Sequence, residues 1–463
     1  MPLLRVTTFK NEHLHSAQED LEVSYSTRCT LTSSIIDDIV RSNVEKRPNE
    51  IKANIYRDYG ISLTYRQALR AKERALVEIN GLPDQSYMLV PWLCNRLMET
   101  DADTVAKWVA SENNRFERLF IAYGYSIKGF LLGARPILYV DGCFLSGPYQ
   151  GTLLAASTYD VDNELFPLAF AIVGSETHDD WTWFLQNIKD ILGLLQENFS
   201  SEFNKVYRGM GRNNKEEALK LLDYIAYARH EHEFHIAMEN LRMFSPQLAI
   251  WVENQGDVDR WALSLFPFRR WDKITTNLAE SFNAWILEER RHNICVLINE
   301  HRDKLSKKFF ASKAAMSKWK SIVGPNVEAK LKENILRAEV MIVQLHGSHI
   351  ALVRTPCGDV CVNLILRECT CKVWQMSGIP CPHACAAIKK VHGNVYSYVK
   401  ECYLRSSQEK IYSGIMHPVE THDMPKPNAL TVSQLMNQTF LLPPRTSRPA
   451  GRPRHVRIES QHQ

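Results

Sequence analysis

Residues 357–392 read CGDVCVNLILRECTCKVWQMSGIPCPHACAAIKKVH, and within them Cys369, Cys371, Cys381 and His383 form a C-x-C pair, nine intervening residues and a C-x-H pair. Nowhere else in the sequence do several soft ligands fall at such short, ordered spacing. Three thiolates and one imidazole suit a tetrahedral ion that accepts sulfur and nitrogen, keeps no open position and does no redox chemistry, which describes one structural Zn2+. The flanks agree. Val360, Val362, Leu364 and Leu366 alternate with Cys361, Asn363, Ile365 and Arg367, which predicts a strand that delivers Cys369 and Cys371 to its end. Gly378 and Pro380 turn the chain, and Cys381 and His383 precede an apolar helical run, Ala384 to Val391. Ordinary buried cysteines are the plainer alternative, and four ligands paired this closely argue against it. Cys385 would follow His383 onto the helix, and Cys357 and Cys361 sit earlier on the strand, so these three stay outside the ligand set.

Composition sets the frame around this stretch. With 463 residues, 45% hydrophobic and 23% charged, the chain is long enough for two or three domains with a real core. MPLLRVTTFKNEH has no apolar signal region and the eleven cysteines are scattered outside the cluster, so a reducing compartment is expected. The longest apolar run, Leu165 to Val173, is interrupted by Pro167 and is far short of a membrane span. A net charge of +4 is too small to argue for nucleic acid by itself, so that reading rests on local clusters.

Residues 32–82 are expected to form three helices. Ser33 or Ser34 caps the first, Pro48 opens the second and Gly60 ends it, and Thr64 caps the third, which stops at Gly81. On the third helix Arg66, Arg70 and Arg74 recur at i, i+4 and i+8 as one basic stripe, with Lys72 nearby. Two readings stand for it: a face that lies along a phosphate backbone, as in a helix-turn-helix, or a solvated face softened by Glu73 and Glu78. Residues 83–135 read as a helical lead-in that includes Trp92 to Met98 and Thr104 to Gly124.

PILYVDGCF, residues 136–144, is an apolar strand that ends on Asp141, and strands at Thr152 to Tyr159 and Leu165 to Val173 follow with turn residues before each. A helix begins near Thr177, with Asp179 and Asp180 at its positive end and Trp181, Phe184, Leu185, Ile188 and Leu192 on one face. Three strands, an aspartate on the first, then a helix is how an RNase H-like fold begins. Such folds gather carboxylates so that two divalent ions act at a phosphodiester.

CTCKVWQMSGIPCPHACAAI resembles a SWIM zinc finger, a module found in plant Mutator-like transposases. YVDGCFL and FPLAFAIVGSETHDDWTWFL resemble the MULE domain of the same family. The resemblance implies that Asp141 is the first member of a D-D-E set, and that Glu280, in RWDKITTNLAESFNAWI, is the glutamate. Leu278, Phe282 and Ile286 would then share the buried face of a helix from about Asn277, and a solvated carboxylate is the plain alternative for Glu280. The second aspartate, due on a fourth strand, has no counterpart. NIKDILG passes directly into LLQENFSSEFNKVYRG, and Asp190 stands inside the preceding helix. An internal deletion is read here. It removes the second aspartate and a central strand, so two unpaired edges, uncovered apolar surface and rearranged packing around Asp141 are expected, and Mg2+ is expected only if the site were intact. LRVTTFKNEHLH resembles the end of an amino-terminal zinc module whose earlier ligands are absent, so no metal is expected there.

Other clusters have plainer readings. In RHEHEFH, residues 229–235, His230 and His232 point in different directions, while Phe234, Met238 and Leu241 set a buried face. Lys304, Lys307, Lys308, Lys313, Lys318 and Lys320 stud an amphipathic helix whose packing with snorkelling lysines is ordinary, a phosphate-facing surface being the alternative. PPRTSRPAGRPRHVR, residues 443–457, resembles an AT-hook around Arg448, Arg452 and Arg454. A disordered tail or nuclear-localisation patch is the alternative.

The expected architecture is α+β and multidomain: an incomplete RNase H-like α/β core with a helical insertion, a small zinc finger and a disordered basic tail. The expected boundaries are a remnant zinc module at 1–31, helices at 32–82, the lead-in at 83–135, the first half of the transposase domain at 136–192, its helical remainder at 193–330, the finger at 345–395 and the tail at 421–463. The expected function is a zinc-binding, DNA-binding, catalytically inactive derivative of a plant transposase in the nucleus, with DNA and protein partners and no membrane. An active DDE-type transposase and a zinc-dependent protein-interaction module are the alternatives.

Overall fold

The computed structural model describes residues 39, 46–80, 82–193, 212–254, 262–265, 271, 277–356, 358–425 and 441–445, and the chain divides into units Met1–Ser86 and Tyr87–Gln463. The remnant module at 1–31 and Arg448, Arg452 and Arg454 of the tail lie outside the described residues.

In the first unit, helix α1 (Pro48–Tyr59) opens on proline and ends where Gly60 takes φ 66°, its N–H donating to Tyr56 O. Helix α2 (Tyr65–Asn80) starts with a reciprocal cap: Thr64 N–H donates to Gln67 Oε1 at 2.8 Å, and Gln67 N–H donates to Thr64 Oγ1. Ile51, Ile55, Leu63, Ala71 and Ala75 bury the seam between the two helices. Helix α3 (Pro83–Met88) spans the boundary between the units.

The second unit continues with α4 (Val90–Thr100) and then departs from the expected helical lead-in. Residues 105–122 form a β-hairpin, β1 (Val105–Ala110) and β2 (Phe116–Ala122), paired from Val105↔Ala122 to Ala110↔Phe116. Val105, Trp108, Val109, Phe116, Phe120 and Ile121 are good strand formers, and the Ser111–Asn114 turn closes the hairpin with Asn114 at φ 52°. Helix α5 (Gly124–Gly133) leads to β3 (Tyr139–Phe144), β4 (Thr152–Tyr159) and β5 (Leu165–Val173). The strands make one sheet in the order β1-β2-β5-β4-β3, with every neighbouring pair antiparallel.

Both faces of this sheet are covered, which explains why β4 and β5 read as near-continuous apolar runs. Pro167 is tolerated in β5 because the register shifts beside it, between Ala156 and Ser157 of β4. One face, with Leu154, Ala156 and Ala171, packs on Phe184, Ile188 and Leu192 of α6 (His178–Leu192), which Thr177 caps by accepting from Asp180 N–H. The other face, with Leu153, Ala155, Phe170 and Ile172, packs on two later helices, over Asn277–Trp285 and Ile294–Met316. In the chain between α6 and Asn277 come α7 (Arg212–Tyr227), α8 (Glu231–Phe244) and α9 (Pro246–Glu253), which share a small core of their own around Phe234 and Leu241. Helix α10 (Asn277–Trp285) buries Leu278 and Phe282, with Ile286 buried just past its end, and α11 (Ile294–Met316) buries Ile298 and Leu305 beside it.

Helix α12 (Pro325–Ala338) leads into a second antiparallel sheet, β6 (Ile342–Leu345), β7 (Ile350–Thr355), β8 (Gly358–Asn363) and β9 (Glu368–Cys369). The strand expected to run through Leu366 stops at Asn363, whose side chain accepts from the N–H groups of Ile365 and Leu366 and bends the chain. Short helix α13 (Val373–Ser377), α14 (Pro382–Lys390) and α15 (Arg405–Ile411) complete this part. It is joined firmly to the first sheet. Asp162, in the β4–β5 turn, accepts from Asn326 N–H at the start of α12 at 2.7 Å, and Arg135 is fully buried between the rings of Tyr159 and Tyr403.

The expectation of a disordered tail over 421–463 fails at residues 441–445. Leu441 is fully buried in the main core and Leu442 pairs in parallel with Arg115, its N–H donating to Asn114 O. An apolar pair inside a proline-rich segment was enough to dock it against the β1–β2 turn. No helix among the described residues is long and apolar enough to cross a membrane.

Candidate metal centre

Strand β9 ends on Cys369, and the turn after it, with Lys372 at φ 59°, brings Cys371 back beside it. Cys381 is the N-cap of α14 and accepts from Ala384 N–H, while His383 stands in the helix's first turn beyond Pro382. The four ligand atoms lie within 4.8 Å of one another. Cys371 Sγ is 3.6 Å from Cys381 Sγ, and His383 Nδ1 is 3.7 Å from Cys369 Sγ and 3.9 Å from Cys381 Sγ. Tetrahedral zinc with bonds of about 2.3 Å to sulfur and about 2.0 Å to nitrogen separates its ligands by roughly 3.5–3.8 Å, so the set fits the ion. Among the described residues this is the one group of three or more such ligands that converges in this way.

Crowding makes the same point electrostatically. Hydrogen bonds from Cys369 and Cys381 hold the Cys371 thiol far below its ordinary range, while the same sharing pushes Cys369 up to about 12 and Cys381 higher still. Three thiolates this close repel one another, and a divalent cation is what allows all three to ionise together. Surrounding bonds fix the ligands: Cys369 N–H donates to Gln375 Oε1, and Gln375 Nε2 donates back to Cys369 O at 2.8 Å. Cys385 is occupied elsewhere, its thiol donating to Pro380 O, and Cys361 lies exposed on β8; Cys357 is outside the described residues.

A second group of polar residues surrounds Asp141. The strand expected to end on Asp141 runs on to Phe144, because its pairing with β4 continues to Phe144↔Thr152, so Asp141 sits within β3, opposite Ala155, on the outermost strand of the first sheet. Asp141 Oδ1 accepts from Gly142 N–H at 2.9 Å, and Oδ2 accepts from Asn283 Nδ2 of α10 at 2.8 Å. Burial raises this carboxyl above its ordinary range; the charges of Glu176 and Glu280 add to the rise, against the two hydrogen bonds. Helix α10 thus does bring Glu280 toward Asp141. Glu176, not anticipated from the sequence, reaches the same place from the turn after β5 and accepts from Trp181 Nε1. The carboxylate oxygens of these three residues do not converge as the finger's ligands do. As arranged, they do not form a cage for a divalent ion, and no step through Mg2+ is derived.

The other flagged groups fall apart or stay bland. Arg66, Arg70 and Arg74 are all exposed on α2, as the spacing required. His230 caps α8 and its ring stacks on that of His232, and neither joins a converging ligand set.

Comparison with known families adds two matches: residues 137–201 match the MULE transposase domain, and residues 357–392 match the SWIM zinc finger. Searches of curated proteins and of solved structures found no match. The SWIM match brackets all four converging ligands, and the MULE match takes in Asp141 and Glu176. Found together in one chain, the two domains indicate a zinc-binding, transposase-derived protein.

Proposed function

We propose that this chain is a degenerate plant Mutator-like transposase that keeps its zinc finger, binds DNA in the nucleus and no longer performs strand transfer. The observation that carries the reading is the state of β3. It bears Asp141 yet lies at the sheet's edge, so among the described residues no strand stands beyond it to present a second aspartate. Three strands and a helix in the RNase H-like order support a core of that class that lacks its continuation. DNA contact is assigned to Arg66, Arg70 and Arg74 on α2, where three guanidiniums along one exposed helical face match the spacing of a phosphate backbone, and to Arg448, Arg452 and Arg454 in the tail. Protein partners are assigned to the finger.

One observation favours the rival reading of an active enzyme: the charge of Glu176 is felt at Asp141, which puts a further carboxylate in that neighbourhood. Incubation of the protein with supercoiled plasmid in Mg2+ or Mn2+ separates the two. No nicking above buffer is expected; metal-dependent nicking abolished by Glu176→Gln would establish the rival. Duplex binding is tested by titration at several salt concentrations. Affinity is expected to fall steeply with salt, and an Arg66→Glu, Arg70→Glu double variant to weaken binding and flatten that slope by about two charges. Binding indifferent to salt would favour a protein-interaction module.

A further inference from the structure

We infer that Trp271 is a positioning residue through which the zinc-held finger fixes α10, the helix that faces Asp141. The inference rests on the zinc-finger reading above. Trp271 belongs to the finger's core by packing, not to the sheet that the following helix covers: it is 4% exposed and clusters with Cys369, Trp374, Cys381 and Tyr403. Its ring meets Tyr403 edge-on at 6.0 Å between centroids, and Lys400 Nζ lies 4.9 Å above it. Tyr403 in turn donates its hydroxyl to Ser377 O, at the end of the short helix between the two ligand pairs.

Gly378, directly after that helix, makes the seat possible. It takes φ 80°, and a β-carbon there would lie 3.1 Å from Trp271 Cζ3. The residue that turns the chain between Cys371 and Cys381 is therefore also the floor under Trp271. Only residues 272–276 separate Trp271 from α10, which packs on β3, β4 and β5 and donates from Asn283 to Asp141. Other joints between this part and the first sheet include Asp162 with Asn326, Arg135 between two tyrosines and Gln408 and Tyr412 with Asp160, and these four hold the β4–β5 turn and the end of β4. Holding the finger's turn thus fixes where the chain enters α10, and with it Glu280 and Asn283.

Amide hydrogen exchange on the full-length zinc-loaded protein tests this, read on peptides covering 277–285 and, as control, 152–173, with zinc content measured on each sample. In Trp271→Ala the expected result is one zinc retained, protection of 277–285 reduced at least tenfold and that of 152–173 unchanged, with Trp271→Phe restoring most of the loss. Unchanged protection of 277–285 in Trp271→Ala overturns the inference. So does an equal loss in both peptides, because Trp271 would then support the core at large. Absence of zinc in the parent protein would instead defeat the finger reading, and the exchange of 277–285 would still decide the role of Trp271.

Discussion

Asn283 donates its side-chain amide to Asp141 Oδ2 at 2.8 Å, across 142 positions of sequence. The bond occupies one side of a carboxylate that Gly142 already engages on the other, so each oxygen of Asp141 has a protein donor. Asn283→Ala removes a bond to a charged group at a half-buried site, with an expected loss of about 1 kcal/mol. Chemical denaturation at pH 7 reads it directly. Because the bond favours the charged form, the loss should shrink as acid protonates Asp141. A loss equal at pH 3 and pH 7 would mean that the bond does not form.

His301 is fully buried among the rings of Tyr123, Phe170, Phe282 and Trp285, with neither ring nitrogen hydrogen-bonded. Burial, with help from the charge of Lys304, lowers it to about 3. The folded state therefore binds this proton less readily than the unfolded chain, whose histidines titrate near 6.5. Its contribution is intact above about 6.5 and lost as pH falls toward 3, at roughly 1.4 kcal/mol per pH unit. Tm measured from pH 7 to pH 4 should drop less steeply in His301→Phe than in the parent. Parallel curves would show the histidine to be solvated or paired.

Asp162 has the opposite sign. Burial first, then the charges of Asp160 and Glu164, raise it to about 6, despite bonds from the N–H groups of Asn326 and Val327. A raised carboxyl stabilises the fold below its unfolded range near 4, and that contribution disappears as pH rises through about 6. Relative to Asp162→Asn, the parent should lose about 1 kcal/mol between pH 4 and pH 7, with solvent screening allowed for. Denaturation midpoints of the two proteins across that range check it; a parent that gains on the variant would contradict the sign.

Arg135 is fully buried and stacked 4.9 Å from Tyr159 and 5.0 Å from Tyr403, with Nη2 donating to Asp160 O. The planar guanidinium fills a slot between two rings that an ammonium does not match. Arg135→Lys is expected to cost about 2 kcal/mol despite keeping the charge. An unchanged denaturation midpoint would show that charge alone is what the site requires.

Local signals were legible in the sequence and long-range ones were not. The four zinc ligands lie within fifteen residues at fixed spacing, so chemistry alone selected them, and β4, β5 and α6 announced themselves by apolar runs and a Thr177 cap. The β1–β2 hairpin was hidden because Val105, Val109 and Phe116 also suit a helical face, and only the Ser111–Asn114 turn decides otherwise. The bend at Asn363 depends on a side chain accepting from the backbone, which alternation does not reveal. Glu176 and Trp271 gained their meaning from contacts with residues far off in sequence. Leu441 and Leu442 were masked by the proline and arginine around them.

The most direct measurement is metal content of the purified full-length protein beside Cys381→Ser. One zinc per chain is expected in the parent, where binding worth about 10–16 kcal/mol is typical of structural sites. The variant should lose the zinc and, with it, the folded structure of residues 342–390. A parent without zinc, or a variant that keeps both metal and fold, would contradict the four-ligand centre on which the rest depends.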